Sequence, residues 1–507
     1  MATSISRWYA LGALAFGTLA VGLDTTVLSV ALPTLAEDLH ASTGDLQWFT
    51  SAYLLVLAAA LLPAGLLGDR LGRKRMLLGA LLLFGVASVA CAYAQNAGQL
   101  IAARAALGLG AAVVMPLSGA VLTVLFAPAE RARAMSIWVT ASALGIPLGP
   151  LLGGWLLDNF WWGSVFLINV PVVVAGVLAI ALWLPESRGE RHGRLDVPGV
   201  LLSTAGLVAV TYGIIEAGDR GWTDARSLVT AAAGTVLLAG FVLWQRRAAA
   251  PLIDLTLFRS AAFTWGAVLV TVAGFAMLGL LFALPQLFSA VGGQDAFGSG
   301  LRLLPVIGGL VLGARVGEKL TSRLGVRTVV AAGLALIAVS SFAGATTGPR
   351  TGYGFIAGWI TLTGLGLGLT MPPAMNAALG ALDPARSGVG NALLQAVRQV
   401  GGAVGVAVLG TVLNSAYRDR LDLAGLPAPA AEAVRDSASA GVAVAGRLAD
   451  PALLRSVQAA FTHGMDRSLV VAGVVALAGT VLALLFLPGR AAPPVESRPA
   501  VLAESGV

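Results

Sequence analysis

Apolar runs of about twenty residues recur from one end of the chain to the other, parted by short segments that hold most of the Arg, Asp, Gly and Pro. A helix of that length, at ~1.5 Å per residue, crosses a hydrocarbon layer of ~30 Å, so each run predicts one bilayer-spanning helix. The windows are 8–31, 46–68, 77–95, 100–126, 134–157, 163–184, 197–216, 227–244, 262–288, 299–317, 328–346, 354–378, 389–413 and 468–487, fourteen in all. The first run, from Trp8 to Ala31, follows Arg7. It is too long for the core of a signal peptide and has no small-residue cleavage site after a short core, so it is expected to stay as the first helix.

The basic residues test this count. With the N-terminus inside, inner segments take 19 of the 32 Lys and Arg, among them Arg70, Arg73, Lys74, Arg131, Arg133, Arg323 and Arg327. Short outer loops take only Arg220, Arg226 and Arg350. Six more arginines fall in one long outer segment, where the preference for positive charge inside is weak, and Arg104, Arg302, Arg315 and Arg398 lie within spans. Such a bias would collapse had an early span been missed. It places the protein across the plasma (inner) membrane of the cell with both termini cytoplasmic.

An internal repeat organises the spans. Asp69-Arg70-Leu71-Gly72-Arg73-Lys74 follows the second span, and Ser322-Arg323-Leu324-Gly325-Val326-Arg327 follows the tenth. The expected fold is therefore an all-α integral membrane protein of two pseudo-symmetric six-helix bundles plus an inserted helix pair, the architecture of alternating-access carriers. The expected divisions are residues 1–184 for the first bundle, 185–256 for the inserted pair, and 257–487 for the second bundle. Within the last, an outer segment at 414–467 predicts a hairpin of short amphipathic helices at Ala430–Gly446 and Pro451–Thr462; a loose linker is the alternative. The Pro-, Ala- and Ser-rich tail, 488–507, is expected to be disordered.

Composition narrows the chemistry. Hydrophobic residues make up 57% of the 507, charged residues 11%, and mean hydropathy is +0.86. A soluble surface needs roughly 25% charge, so the outside of this chain must meet lipid. The net charge of +7 comes from Arg scattered in small groups, with no basic stripe or aromatic interleaving, so a nucleic-acid partner is not expected. Only Lys74 and Lys319 occur and neither stands in a phosphate-binding loop, which excludes drive by ATP bound to this chain. Cys91 is single, and His40, His192 and His463 all fall in predicted loops, so no disulfide, metal or cofactor is expected, and no enzyme. A receptor or membrane enzyme would need an appended soluble domain or a catalytic cluster, and the chain shows neither.

Several motifs then coincide. Gly65-Leu66-Leu67-Gly68-Asp69-Arg70-Leu71-Gly72-Arg73-Lys74 resembles the loop between helices 2 and 3 of the major facilitator superfamily. Gly145-Ile146-Pro147-Leu148-Gly149-Pro150, with Gly153-Gly154, is similar to the motif of its antiporters. Leu23-Asp24-Thr25-Thr26 through Pro33, Arg104 with Gly108 and Gly110, and Arg398-Gln399 with Gly401-Gly402 resemble the fourteen-helix drug:proton antiporters. The resemblance covers essentially the whole chain. It implies a proton-coupled antiporter, with lipid and protons as partners, working as a monomer, that exports hydrophobic, often cationic drugs or dyes. The alternative is a dedicated exporter of a single antibiotic or metabolite, which the Ala-, Gly- and Arg-rich, Lys-poor composition of a high-GC genome also fits.

A carboxylate inside a span costs roughly 2.5–3.5 kcal/mol on insertion scales and marks function by default, which singles out Asp24. It lies about 16 residues into the first span, or roughly 24 Å, and Arg104 about six residues into the fourth from the other side, or roughly 9 Å. Both therefore fall in the outer half, where a direct or water-bridged interaction is expected to govern proton exchange and where ionised Asp24 is also expected to draw a cationic substrate to the cavity. The competing readings are an Asp24 locked to an arginine for good and an Arg104 bonded only to backbone carbonyls. Arg398 sits near mid-depth of the thirteenth span; binding substrate, repelling protons and holding a polar network stay open for it. Asn169, Asn391 and Gln395 add polar groups. Trp48, Tyr53, Phe275, Phe282, Gln286 and Met371 are candidate linings of an adaptable cavity. Gly65, Asp69, Arg70, Gly72 and Arg73 are candidates for holding the inner side closed, and Gly145, Pro147, Gly149, Pro150, Gly153 and Gly154 for either a pivot or close helix packing.

Overall fold

The computed structural model describes residues 4–126, 128–188, 195–382 and 386–489, and every regular element among them is a helix. The chain runs through α1 (Ser4–Asp38), α2 (Thr43–Leu71), α3 (Arg73–Ala92), α4 (Ala97–Leu125), α5 (Pro128–Asn159) and α6 (Ser164–Trp183). A pair follows, α7 (Val197–Arg220) and α8 (Ala225–Gln245). Then come α9 (Ala261–Val291), α10 (Ala296–Leu324), α11 (Val326–Gly344), α12 (Tyr353–Gly380) and α13 (Ser387–Arg420). Two short helices, α14 (Ala428–Asp436) and α15 (Ala438–Arg447), lead into α16 (Pro451–Phe486). Among the described residues, thirteen helices are long and apolar enough to cross a bilayer, and α5, 32 residues long, stands where the fifth of fourteen was expected.

Polar caps set where these helices begin. Ser42 and Asp45 form a reciprocal capping box at the start of α2, and Asn96, Asp224 and Asp450 accept backbone N–H groups at the starts of α4, α8 and α16. Orphan amides at a helix start are thereby satisfied where lipid could not satisfy them. α1 to α6 pack on one another, α9 to α13 pack with α16, and the α7–α8 pair lies against α2 and α13. Successive passes alternate, so α1 begins and α16 ends on one face of the molecule, here the terminal face; the opposite one is the distal face.

The sequence repeat is repeated in space. Gly72 (φ +109°) and Gly325 (φ +82°) take left-handed conformations that favour glycine, each between two helices. Lys74 Nζ donates to Ala181 O at 2.8 Å, and Arg327 Nε to Leu487 O at 2.6 Å, so each turn is tied to the end of its own bundle's last helix. The copies differ at the preceding position: Asp69 pairs with Arg73 at 2.7 Å, whereas the Ser322 hydroxyl donates to Lys319 O of its own helix.

The outer hairpin departs from expectation. The polar stretch after Asn414 does not end α13, which runs on to Arg420, and the helix expected at Pro451–Thr462 is no separate element. Pro451 opens α16, which continues for 36 residues, because the stretch from Thr462 to Ser468 holds no proline and polar side chains do not interrupt a backbone ladder once it has left the bilayer. The stretch 430–446 breaks in two at Ser437, whose extended backbone (φ −159°) caps α15. Residues 490–507 of the expected disordered tail lie outside the described residues.

At the terminal end of the inserted pair, Asp196 is buried and accepts four hydrogen bonds: Gly199 N (2.9 Å), Trp244 Nε1 (2.7 Å), Gln245 Nε2 (2.6 Å) and Leu252 N (3.2 Å). Burial opposes the charge, but these four donors hold its pKa below the ordinary carboxylate value. A depressed folded-state pKa contributes stability that is present above the unfolded value of about 3.9 and lost as pH falls through the folded one. Asp196→Ala is expected to cost about 3 kcal/mol at neutral pH, the order for stranding several buried donors, read as a lower melting midpoint of the purified protein. That deficit should shrink below about pH 4.

Candidate functional site

Asp24 and Arg104 meet directly in the interior of the first bundle. Arg104 Nη1 lies 2.6 Å from Asp24 Oδ2, and the side chains are 1% and 2% exposed. The rest of the guanidinium is held as well: Nε donates to Phe49 O of α2 at 3.0 Å, and the plane lies 4.5 Å from the centre of the Tyr53 ring. α6 contributes Asn169, whose Nδ2 lies 3.5 Å from the second carboxylate oxygen of Asp24 and 3.3 Å from Ser88 Oγ of α3. Residues from α1, α2, α3, α4 and α6 thus converge on one carboxylate. In so dry a site an ion pair is strong, but each partner is costly once alone.

Arg104 pairs with the carboxylate and also donates to a carbonyl on α2, so it is not bonded only to backbone carbonyls, and the carbonyl it bonds is not on α1. Arg104→Ala should leave Asp24 buried without a cation, a loss of about 3–5 kcal/mol, and is expected to lower the yield of folded protein from the membrane. Tyr53, expected to line a cavity, instead stacks on Arg104 and is 1% exposed.

Close helix approach places Asp24. A Cβ on Gly145 would lie 2.7 Å from Gly22 C and 2.8 Å from Leu23 N, and one on Gly153 would touch Val27 at 3.4 Å. Gly149 faces Thr26, whose hydroxyl donates to Gly145 O at 3.1 Å. α5 therefore lies along α1 on both sides of Asp24. Its distal half also reaches the second bundle: a Cβ on Gly154 would meet Phe297 Cα at 2.6 Å, one on Gly300 would meet Pro150 C at 2.9 Å, and Asp158 accepts from Ala296 N (3.2 Å) and Phe297 N (3.0 Å) at the start of α10. Pro147 is half-buried in the same stretch. The α5 motif is a packing surface in this conformation.

The bundles are joined on the distal side. Gln47 Nε2 of α2 donates to Val406 O (3.1 Å) and Ala407 O (2.9 Å) of α13, and Leu278, Phe282, Ala403 and Val406 share an apolar core with α1 and α2. Above that seal Thr43 donates to Asp436 O at 2.9 Å, Tyr417 to Val434 O at 2.7 Å, and Arg418 pairs with Asp219 at 3.2 Å. The short helices α14 and α15 are thereby fastened over the distal face. The Asp69–Arg73 pair stays within the first bundle, where Arg73 Nη1 also donates to Ala120 O at 3.3 Å; Arg70 is exposed, and Gly65 has open space beside it. Among the described residues, the expected charge contacts across the terminal side are not made in this conformation.

Other candidate linings are placed elsewhere. Trp48 packs 6.3 Å from Tyr212 of the inserted pair. Phe275 is buried with Leu409 and Ala472, Met371 lies in a core among α9, α11, α12 and α16, and Gln286 donates to Phe282 O of its own helix. These are packing positions, because an apolar side chain in a span looks the same to the sequence whether it faces a neighbour or a cavity. Asn391 is exposed near the terminal end of α13, and Gln395 and Arg398 are half-buried further along it. Sequence reasoning missed Gln47, Ser88, Asp158 and Asp219. A glutamine and an aspartate near span ends gave a signal for Gln47 and Asp158; Ser88 gave none.

The arrangement has relatives. Over 504 residues, covering 97% of this chain and 93% of the other, it is 35% identical to the tetracenomycin C resistance and export protein of Streptomyces glaucescens. It is 33% identical to the multidrug efflux pump LfrA of Mycolicibacterium smegmatis, over 95% of this chain and 96% of that one. In three dimensions it is similar to a bacterial homolog of the human lysosomal transporter Spinster in an inward-facing, occupied conformation, with a TM-score of 0.70 over 97% of this chain and all of that one at 17% identity. The sequence profile of the Major Facilitator Superfamily matches residues 14–406, so the paired bundles and the motif loops belong to one inheritance: the chain is a member of that superfamily.

Proposed function

We propose that this protein is a proton-coupled antiporter that exports small amphipathic molecules by alternating access, with Asp24, Arg104 and Asn169 as its coupling unit. The observation that carries the reading is the enclosed Asp24–Arg104 ion pair, 2.6 Å long, inside a lipid-embedded bundle. An intramembrane pair so costly to assemble is retained where charge must change during function. Protonation of Asp24 cancels the negative partner and frees Arg104, Asn169 and the α1–α5 contact to rearrange together. Residues 1–184 and 257–487 rock about the seam while 185–256 flank it, with both termini cytoplasmic and one chain sufficient for the cycle. The distal seal at Gln47, Gly154 and Asp158 supports reading this conformation as the inward-facing one. Opening it requires α5 and α10 to part, after which Asp69, Arg70 and Arg73 on the terminal face become available to the second bundle.

The named relatives are a multidrug pump and a resistance and export protein for one antibiotic. The 35% identity to the tetracenomycin C protein, over 97% of the chain, favours a dedicated exporter as the second reading. Proteoliposomes holding this protein alone, with an imposed pH gradient, test the proposal: added substrates should dissipate the gradient, reported by a pH-sensitive dye. A gradient untouched by every compound in a broad panel of drugs and antibiotics would sink the antiport reading. Response to many compounds supports the multidrug reading, and response to one supports the dedicated exporter.

A further inference from the structure

The second bundle holds a cation that the coupling unit does not use. Arg398 lies in α13 with Nε enclosed and without a hydrogen-bond partner, and among the described residues no carboxylate pairs with its guanidinium. One turn before it, Gln395 Oε1 is also enclosed and accepts nothing. The Arg398 backbone and Cγ press on Gly274 of α9, the Cγ lying 3.2 Å from where a Cβ would stand there. At ~100° per residue, Arg398 shares a flank of α13 with Gly401 and Gly405, which face α9, while Gln47 bonds the flank at Ala407. Gln395 falls between the two flanks, toward the seam between the bundles. Arg398 is eight residues before Val406 along α13, or roughly 12 Å to the terminal side of the distal seal. An arginine at that depth without a protein counter-charge calls for an acceptor from outside the chain.

We infer that Arg398, with Gln395 beside it, forms a subsite in which the guanidinium recognises an anionic oxygen, carboxylate or phenolate, on the exported molecule. The inference rests on the export reading above and names the substrates this subsite serves: amphipathic compounds that carry an oxygen anion. The guanidinium gives charge-assisted hydrogen bonds to such a group, while the Gln395 Oε1 acceptor one turn away suits a hydroxyl or N–H of the same molecule. Nothing in this role requires Asp24 to titrate, so the subsite loads cargo on the terminal side while the proton site lies in the other bundle.

Binding to the full chain in lipid nanodiscs, without any pH gradient, tests this separately from coupling. Two xanthene dyes serve as probes, fluorescein with its carboxylate and phenolate, and rhodamine 6G, which is cationic and esterified. The wild type should bind fluorescein, and Arg398→Gln should weaken that at least about tenfold, the loss of one charge-assisted contact, while rhodamine 6G binding and the melting midpoint stay unchanged. Arg398→Lys should restore part of the loss, whereas Asp24→Asn should leave fluorescein binding intact. Equal weakening of both dyes, or a wild type that does not bind fluorescein, overturns the inference. Failure of gradient-driven export with intact fluorescein binding would instead count against the antiport reading alone.

Discussion

Asp24→Asn is expected to bring gradient-driven export to background, a loss of about a hundredfold or more, while the protein still inserts and folds. Asparagine is nearly isosteric with aspartate, and its carbonyl can still accept from Arg104 Nη1, now 2.6 Å from Asp24 Oδ2, so the packing around the site is kept. What disappears is the ability to gain and lose a proton. Without that change of charge nothing couples the contacts of α1, α4 and α6 to the gradient. The check compares two rates in the same vesicles: export driven by an imposed pH gradient, and exchange of labelled for unlabelled substrate with no gradient. Loss of the first with survival of the second supports the coupling role, and Asp24→Glu should recover part of it. Undiminished gradient-driven export by Asp24→Asn would overturn the assignment of this residue.

Gly145→Val carries the second large effect. A single added Cβ would sit 2.7 Å from Gly22 C and 2.8 Å from Leu23 N, and both are backbone atoms that cannot swing aside. Valine adds two methyl groups beyond that. α1 must then move off α5, which costs about 1–3 kcal/mol as overpacking and shifts Asp24, the next residue along, away from Arg104. Export should fall at least about tenfold, because charge-assisted contacts weaken steeply as their geometry is lost, and the melting midpoint should fall with it. Gly240→Val on the inserted pair is the control, since a Cβ at Gly240 meets open space. Equal activity in Gly145→Val and the wild type would show that the α1–α5 contact does not position the carboxylate.

Gly145 marks the edge of what spacing alone could say. Its motif stood out as glycines and prolines in one helix, a pattern that serves bending and close packing alike. Only the placement of α1 against it shows how closely it packs in this conformation. Arg104 shows the same boundary: the depth of two charges along their own helices predicted that they could meet, and they do, across 80 residues of chain. Asn169, a further 65 positions on, reached the same site with nothing in its own surroundings to announce it. Trp48 went the other way, an aromatic expected at a cavity that packs, its ring tilted, against Tyr212 of the inserted pair.

The sequence by itself determined that long apolar helices recur along the whole chain, where the repeat lies, and that a carboxylate and an arginine stand at one depth. Those properties are one-dimensional: hydrocarbon thickness fixes the length of an apolar run, and charge inside one is too costly to be incidental. Tertiary structure alone decided which side of each helix faces a neighbour, and hence which polar groups share a site. In water an amphipathic stripe would reveal that rotation. In a bilayer the lipid-facing side and the bundle interior are both apolar, so the stripe fades, and rotation is set by close packing at residues such as Gly145 and Gly108 that carry no polarity of their own.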